Sequence, residues 1–277
     1  VIEVRDVTFV PPGRDVPTLD AVTFTLDDGE RAMLLGGNGS GKTTLVRLLN
    51  GTLFPTSGRV VVDGFDTSDA AAHDDVRRRV GLLFQDPDDQ FVTTTLEREI
   101  AFGLENLGVP QPQMRVTVDA AMRDFGLGEL RNAPPHEMSG GEKARLALAC
   151  VWVMGPRTLL LDETESLLDR RGVERLHAAL DALPRETSVL HVTTDPNAAS
   201  GHARALVLHA GRLVADAPPD DVFATLPDEV LQRIDTPLAW RVSRELVRAG
   251  RLAQPTASWP RLLQQLDAGH TPNPERA

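Results

Sequence analysis

Along Val1–Val10 the apolar positions Ile2, Val4, Val7 and Phe9 alternate with polar ones, the pattern of a half-buried strand. Pro11-Pro12-Gly13 ends it. A second strand is predicted over Ala21–Leu26, and the turn Asp27-Asp28-Gly29 leads into the short apolar run Arg31-Ala32-Met33-Leu34-Leu35. Leu45, Leu48 and Leu49 then fall at helical spacing, and Gly51 stops that helix. Ser57-Gly58 opens a strand over Arg59–Val62, closed by Asp63-Gly64. Val80-Gly81-Leu82-Leu83-Phe84 is apolar throughout, as in a strand buried on both faces.

From residue 86 to residue 137 the period changes to helical. Leu96, Ile100, Leu104 and Leu107 share one face, and Val118, Met122 and Phe125 another. Proline and glycine punctuate at Pro110, Pro112, Gly126, Gly128 and Pro134-Pro135. The stretch predicts a helical subdomain, about residues 86–155, inserted into an α/β sheet. Sheet character returns at Thr158–Leu161 and Ser188–Val192, and a closing hairpin is expected from Ala205–Leu208 and Leu213–Ala215 around Gly211. Beyond Pro218, short helices broken by Pro227, Pro237, Pro255 and Pro260 are expected. The division is therefore a main domain over 1–216 and a C-terminal appendage over 217–277, its tail Gly269–Ala277 expected to be disordered. No internal repeat is visible.

The turn after the third apolar run brings in chemistry. Gly36-Gly37-Asn38-Gly39-Ser40-Gly41-Lys42-Thr43-Thr44 lies between a strand and a helix, the setting that a G-x-x-x-x-G-K-T phosphate loop requires. Glycines let successive backbone N–H groups turn inward around phosphate oxygens, and the helix adds its positive end. Lys42 would reach the β- and γ-phosphates, and the Thr43 hydroxyl would complete a Mg²⁺ shell. The plainer alternative, a Gly/Ser turn capping a helix, does not need four fixed residues in eight positions.

Composition narrows the classes. A chain of 277 residues with 41% hydrophobic content suits a globular α/β core. A net charge of -11 argues against a nucleic-acid partner. The single cysteine, Cys150, excludes an intrachain disulfide, fits a reducing cytoplasm and reads as a small buried apolar residue. No signal-peptide pattern opens at Val1, and no run approaches the roughly 20 apolar residues of a membrane span; a membrane role is expected to come by docking on another chain. Lysine occurs only at Lys42 and Lys143.

Other motifs are ambiguous singly. Ser139-Gly140-Gly141-Glu142 precedes an amphipathic run through Leu146, Ala149, Cys150 and Val153; it reads as a capping box or as a second anion site at a helix end. Asp162 and Glu163 end an apolar strand, where one carboxylate can hold Mg²⁺ and the next can act as general base, or both can simply cap the strand. Gln85 follows the Val80–Phe84 run, where it could meet the metal or the attacking water.

In order and spacing, the phosphate loop, Gln85, Met138-Ser139-Gly140-Gly141-Glu142, Asp162-Glu163 and Leu168-Asp169 resemble the nucleotide-binding subunit of an ABC transporter. Two stretches are similar to its energy-coupling factor (cobalt/vitamin-type) branch: Phe84-Gln85-Asp86-Pro87-Asp88-Asp89-Gln90, and Ala217–Phe223 with Thr236-Pro237-Leu238-Ala239. The resemblance implies an ABC-type P-loop NTPase core with a β-subdomain, a helical insertion and a small C-terminal helical appendage. It implies two ATP molecules, with Mg²⁺, sandwiched in a head-to-tail dimer. Ser139, Gly140 and Gly141 would touch the γ-phosphate held by the partner, Asp169 would lie at the seam, Glu163 would orient water, and Asp162 and Gln85 would serve the metal.

The resemblance further implies transmembrane coupling and substrate-binding partners, no nucleic acid, and a peripheral seat on the cytoplasmic face of the membrane. Departures stand beside it. Thr194 occupies the position of the family's switch histidine, while His191 lies in mid-strand and reads as structural. The adenine-stacking aromatic falls on Pro11, Thr164 replaces proline, and Glu142 replaces glutamine. A slow site of its own and a heteromeric pairing with a second ATPase are expected. A nucleotide-sensing subunit and a soluble non-transport ATPase remain the alternatives.

Overall fold

The computed structural model describes residues 1–166, 168–197 and 202–268. The expected disordered tail lies outside them. In chain order the elements are β1 (Ile2–Phe9), β2 (Leu19–Leu26), β3 (Arg31–Leu35), α1 (Lys42–Leu49), β4 (Ser57–Val62), β5 (Phe65–Asp66), α2 (His73–Arg79) and β6 (Val80–Leu83). Then come α3 (Leu96–Asn106), α4 (Gln111–Asp124), α5 (Gly140–Trp152), β7 (Thr158–Asp162), α6 (Arg170–Asp181), β8 (Ser188–Thr193), β9 (Arg204–His209) and β10 (Arg212–Ala217). Four short helices close the described chain: α7 (Pro219–Thr225), α8 (Asp228–Leu231), α9 (Leu238–Arg248) and α10 (Trp259–Ala268).

Two sheets form. The antiparallel one runs β2-β1-β4-β5, and the larger runs β10-β9-β3-β8-β7-β6. In the larger sheet β9, β3, β8, β7 and β6 are parallel, with β10 antiparallel at the edge. Parallel neighbours leave the strand C-termini at one rim, where loops can gather functional side chains.

Side-chain alternation distributes β3 between two cores. Ala32 and Leu34 pack with α1 and the antiparallel sheet, while Met33 and Leu35 pack with Val222 and Phe223 of α7, Trp240 of α9 and Ile234 between α8 and α9. Likewise Leu160 joins the first core, and Leu159 and Leu161 face α3, α5 and α6. The C-terminal helices thus cover one face of the central sheet.

β1 carries a feature its sequence hints at. Its buried positions switch phase between Val4 and Val7, and the strand takes up the extra residue as a bulge against both neighbours, with Asp6 at φ 51. A one-residue phase change cannot stay on one face without such a bulge. β5 and α2, which the hydrophobic pattern does not announce, follow β4. Pro218, Pro227 and Pro237 turn out to precede helices rather than break them, and Pro260 lies in the first turn of α10. The ring's fixed φ suits a helix start, where no N–H is needed.

Candidate active site

β3 delivers the chain into the glycine loop at the rim. Gly39 and Gly41 adopt φ 77 and φ 106, left-handed values that cost a side chain strain. A Cβ on Gly41 would also stand 2.7 Å from Leu19 Cδ2, and one on Gly36 would stand 2.6 Å from the Leu208 carbonyl oxygen. The loop is therefore pressed between β2 and β9. Gly37 rests on the C-terminal segment, its hypothetical Cβ 2.8 Å from the Arg233 carbonyl oxygen. α1 begins at Lys42, so its positive end faces the loop.

Lys42 is buried and curls back over the loop. Its Nζ donates to Gly36 O at 2.8 Å and Gly37 O at 3.3 Å, and lies 3.1 Å from Glu163 Oε1. Asp162 ends β7; Glu163 follows in the left-handed region at φ 51, held by its N–H donating to Val192 O at 2.9 Å. That backbone turns the Glu163 carboxylate toward Lys42. Gln85 Nε2 reaches Glu163 Oε2 at 3.4 Å, a long contact. A cavity of about 270 Å³ gathers Asn38, Gly39, Gly41, Lys42, Thr43, Thr44, Gln85 and Glu163, together with Thr18, which the sequence reading missed.

Asp162 is buried, and burial raises its carboxyl above the usual range; the Glu163 charge adds to this, while a hydrogen bond from Thr43 and the charges of Lys42 and Arg47 oppose it. Its Oδ1 has no hydrogen-bond partner. Ser40 and Thr164 likewise bury unpartnered hydroxyls.

The serine-glycine motif stands apart from this cavity in the single chain. Ser139 is the N-cap of α5 and forms the capping box: its N–H and hydroxyl donate to Glu142 Oε2 at 2.9 and 2.7 Å. These bonds, the hydroxyl's first, hold Glu142 below the usual carboxylate range. Gly141 lies against Gly172 of α6, where a Cβ on Gly141 would stand a tight 3.3 Å from Gly172 Cα. Asp169 caps α6, accepting from Gly172 N at 2.7 Å. Lys143 Nζ pairs with Asp88 Oδ2 at 2.6 Å, and Gln90 Nε2 donates to Ala147 O at 3.3 Å. So the segment that follows Gln85 is tied to the helix that Ser139 opens.

Thr194 comes just after β8 and is half-buried. It does not border the phosphate-loop cavity; it shares with Glu163 a second cavity of about 720 Å³. His191 points into the same second cavity, is 1% exposed, and is pushed down to about 3 by burial and by the charges of His202 and His177. It lies within β8, three residues before Thr194. Two further groups escaped the sequence reading. Glu99 is a buried carboxylate that accepts from Val92 N, Thr93 N and Thr93 Oγ1, and Glu165 meets His177. Neither carries a local motif.

Residues 19–166 match the ABC transporter family model. The chain is 37% identical to the energy-coupling factor transporter ATP-binding protein EcfA1 of Bacillus licheniformis, over 90% of each chain. It is 40% identical to the cobalt import ATP-binding protein CbiO of Syntrophus aciditrophicus, over 81% of this chain and 80% of that one. Among solved structures, cbiO1 of Clostridium perfringens, part of the ABC transporter complex cbiONQ, superposes with a TM-score of 0.72 at 28% identity, covering 90% of this chain and 97% of that one. These relatives do not favour the nucleotide-sensor and non-transport alternatives. With the loop, the paired carboxylates and the capped serine-glycine helix in their places, the chain belongs to the ABC transporter family, as an ABC-type ATPase among the energy-coupling factor and cobalt-import ATP-binding subunits.

Proposed function

We propose that this ATPase powers import of a micronutrient, a vitamin or a transition-metal ion, through partner membrane subunits, seated peripherally on their cytoplasmic face. No helix among the described residues is long and apolar enough to cross a membrane, so the partners supply the transmembrane path and the substrate site. The observation that carries the reading is the convergence of Lys42, Thr43, Gln85 and Glu163 on one cavity at the sheet rim.

Within that cavity Gly36 to Gly41 offer backbone N–H groups to the phosphates, and Lys42 exchanges its carbonyl partners for phosphate oxygens. A metal site fits here: Asp162 has a buried, unpartnered Oδ1 and accepts from Thr43, and a cation beside them would relieve the carboxylate's burial. Mg²⁺ bound by Thr43, Gln85 and Asp162 would offset charge on the β- and γ-phosphates. Glu163 orients the water for in-line attack.

Ser139, Gly140 and Gly141 complete a second chain's site, and Asp169 lines the seam. Residues 86–155 and 217 onward form the inserted and appended lobes. Thr194 brings a hydroxyl where an imidazole donor would position the γ-phosphate and water, so this chain's own loop forms the slower half of an asymmetric pair. Purification from membranes should bring down a second ATPase and a membrane subunit. The reconstituted heteromer should turn over at least about tenfold faster than this chain alone, since a positioned donor is worth that much or more. Equal turnover, or no ATPase companion, would contradict the pairing.

A further inference from the structure

Glu165 stands two residues beyond Glu163 on the loop that joins β7 to α6. Its side chain is 8% exposed, and Oε1 meets His177 Nε2 from α6. His191 Nε2, from β8, approaches the same oxygen at 3.4 Å without a hydrogen bond. Oε2 is buried with no hydrogen-bond partner, so the anchorage rests on Oε1. The His177 and His191 rings stand edge to face 6.2 Å apart.

A carboxylate buried this far needs a cation or several donors. His191 is held neutral in this range by its burial. His177 is the partner that can carry charge: its hydrogen bond with Glu165 raises its pKa, against burial, with smaller help from Asp181. Across the second cavity the cluster shares its space with Glu163 and Thr194. The loop is short and internally bonded: Ser166 N donates to Glu163 O and Leu168 N to Glu165 O, both at 3.0 Å. A tie at Glu165 therefore constrains Glu163 on one side and Asp169, the N-cap of α6, on the other.

We propose that Glu165, clamped by His177, is a positioning residue for hydrolysis that fixes the loop carrying Glu163 and Asp169 between β7 and α6. This rests on the reading of Glu163 as the water-orienting carboxylate. The clamp borders the same cavity as Glu163 and Thr194.

The clamp is pH-dependent. The groups facing His177 are Glu165 from the loop, Arg170, Glu174 and Asp181 on its own helix, His191 from β8 and Asp195 after it, with His202 packed on the His191 ring. Because the folded state raises the pKa of His177 above its ordinary 6.5, the charged tie is complete below that value. It weakens as pH rises through the raised one.

The test uses the full chain with Mg·ATP in single turnover, from roughly pH 6 to 9 to span the histidine range, with hydrogen exchange over residues 163–169. In the wild type, exchange in this segment should rise beyond its intrinsic increase as His177 loses its proton. Glu165→Gln and His177→Gln should lower the rate about tenfold, as a misplaced group does, leave the KM for ATP within about twofold, and abolish the pH step. His177→Lys should keep the segment protected at high pH. A wild-type segment indifferent to pH, a Glu165→Gln rate and pH profile like the wild type, or a KM rise matching the rate loss would overturn the clamp. Glu163→Gln separates the two readings: if it hydrolyses ATP at the wild-type rate, the water-orienting role fails; if it is inactive while Glu165→Gln is unimpaired, only the clamp fails.

Discussion

Lys42 and Asp162 are each only 5% exposed, and their opposite treatment sets what the rim can bind. Lys42 is satisfied by two carbonyls and Glu163, whereas Asp162 keeps an oxygen without a partner. A carboxyl whose pKa is raised on folding favours the protonated form, so its contribution to stability is present below the unfolded value and lost as pH rises through the folded one. At neutral pH the ligand-free chain therefore carries a cost at Asp162. Asp162→Asn should raise the ligand-free melting midpoint by about 2–4 °C, which corresponds to about 1 kcal/mol in a chain of this size, while abolishing Mg²⁺-dependent turnover. A lowered midpoint would show that the carboxylate is structural. Thr194 is the other informative position. It borders a roomy cavity beside Glu163, so an imidazole has space there, and Thr194→His should raise single-turnover hydrolysis about a hundredfold by restoring a positioned donor. An unchanged rate would mean that the pairing, not this residue, limits the site.

At the scale of elements, local grammar was legible and long-range partnership was not. The strand, glycine loop and helix around Lys42 are contiguous, so their roles could be read off adjacent residues. The bulge in β1 was written in the phase change between Val4 and Val7. Its partner was hidden: Gly58 on β4 takes φ 76, and a Cβ there would stand 2.1 Å from the Asp6 carbonyl oxygen. Gly58→Ala should cost about 2–4 kcal/mol, read by denaturant unfolding, because both a left-handed backbone and a closed contact oppose it; a loss under ~0.5 kcal/mol would contradict the geometry. Glu165 and His177 escaped because each is defined by a partner on another element, and Glu99 because its donors, Val92 and Thr93, lie in the loop before its own helix and follow no motif spacing. The prolines beyond residue 217 misled for a related reason. A proline announces a discontinuity, and only the following residues decide whether it closes one helix or opens the next.

For the whole molecule, the C-terminal helices build a core of their own against one face of the central sheet. Val222, Phe223, Ile234 and Trp240 close over Met33, Leu35, Ala205 and Val207, and Arg233 backs the phosphate loop at Gly37. Leu238 N donates to Asn197 Oδ1 at 2.9 Å, so the same lobe also braces the segment after Thr194. Contacts across some two hundred residues of sequence leave no local trace, which is why the composition of this region suggested only an appendage. Ending the chain at Ala217 should uncover several large apolar side chains at ~1.5–3 kcal/mol each. That is a large part of a typical ~5–15 kcal/mol stability, so the truncated chain should aggregate or melt far below the full one; a soluble truncation with an unchanged midpoint would contradict this. The central claim is that a triphosphate is bound by the loop ahead of Lys42. It is tested most directly by calorimetric titration of Mg·ATP into the full chain and into Lys42→Ala. The account predicts saturable binding weakened about a hundredfold in the variant, the loss of charge-assisted bonds to the phosphates. No binding by the wild type, or equal binding by both, would contradict it.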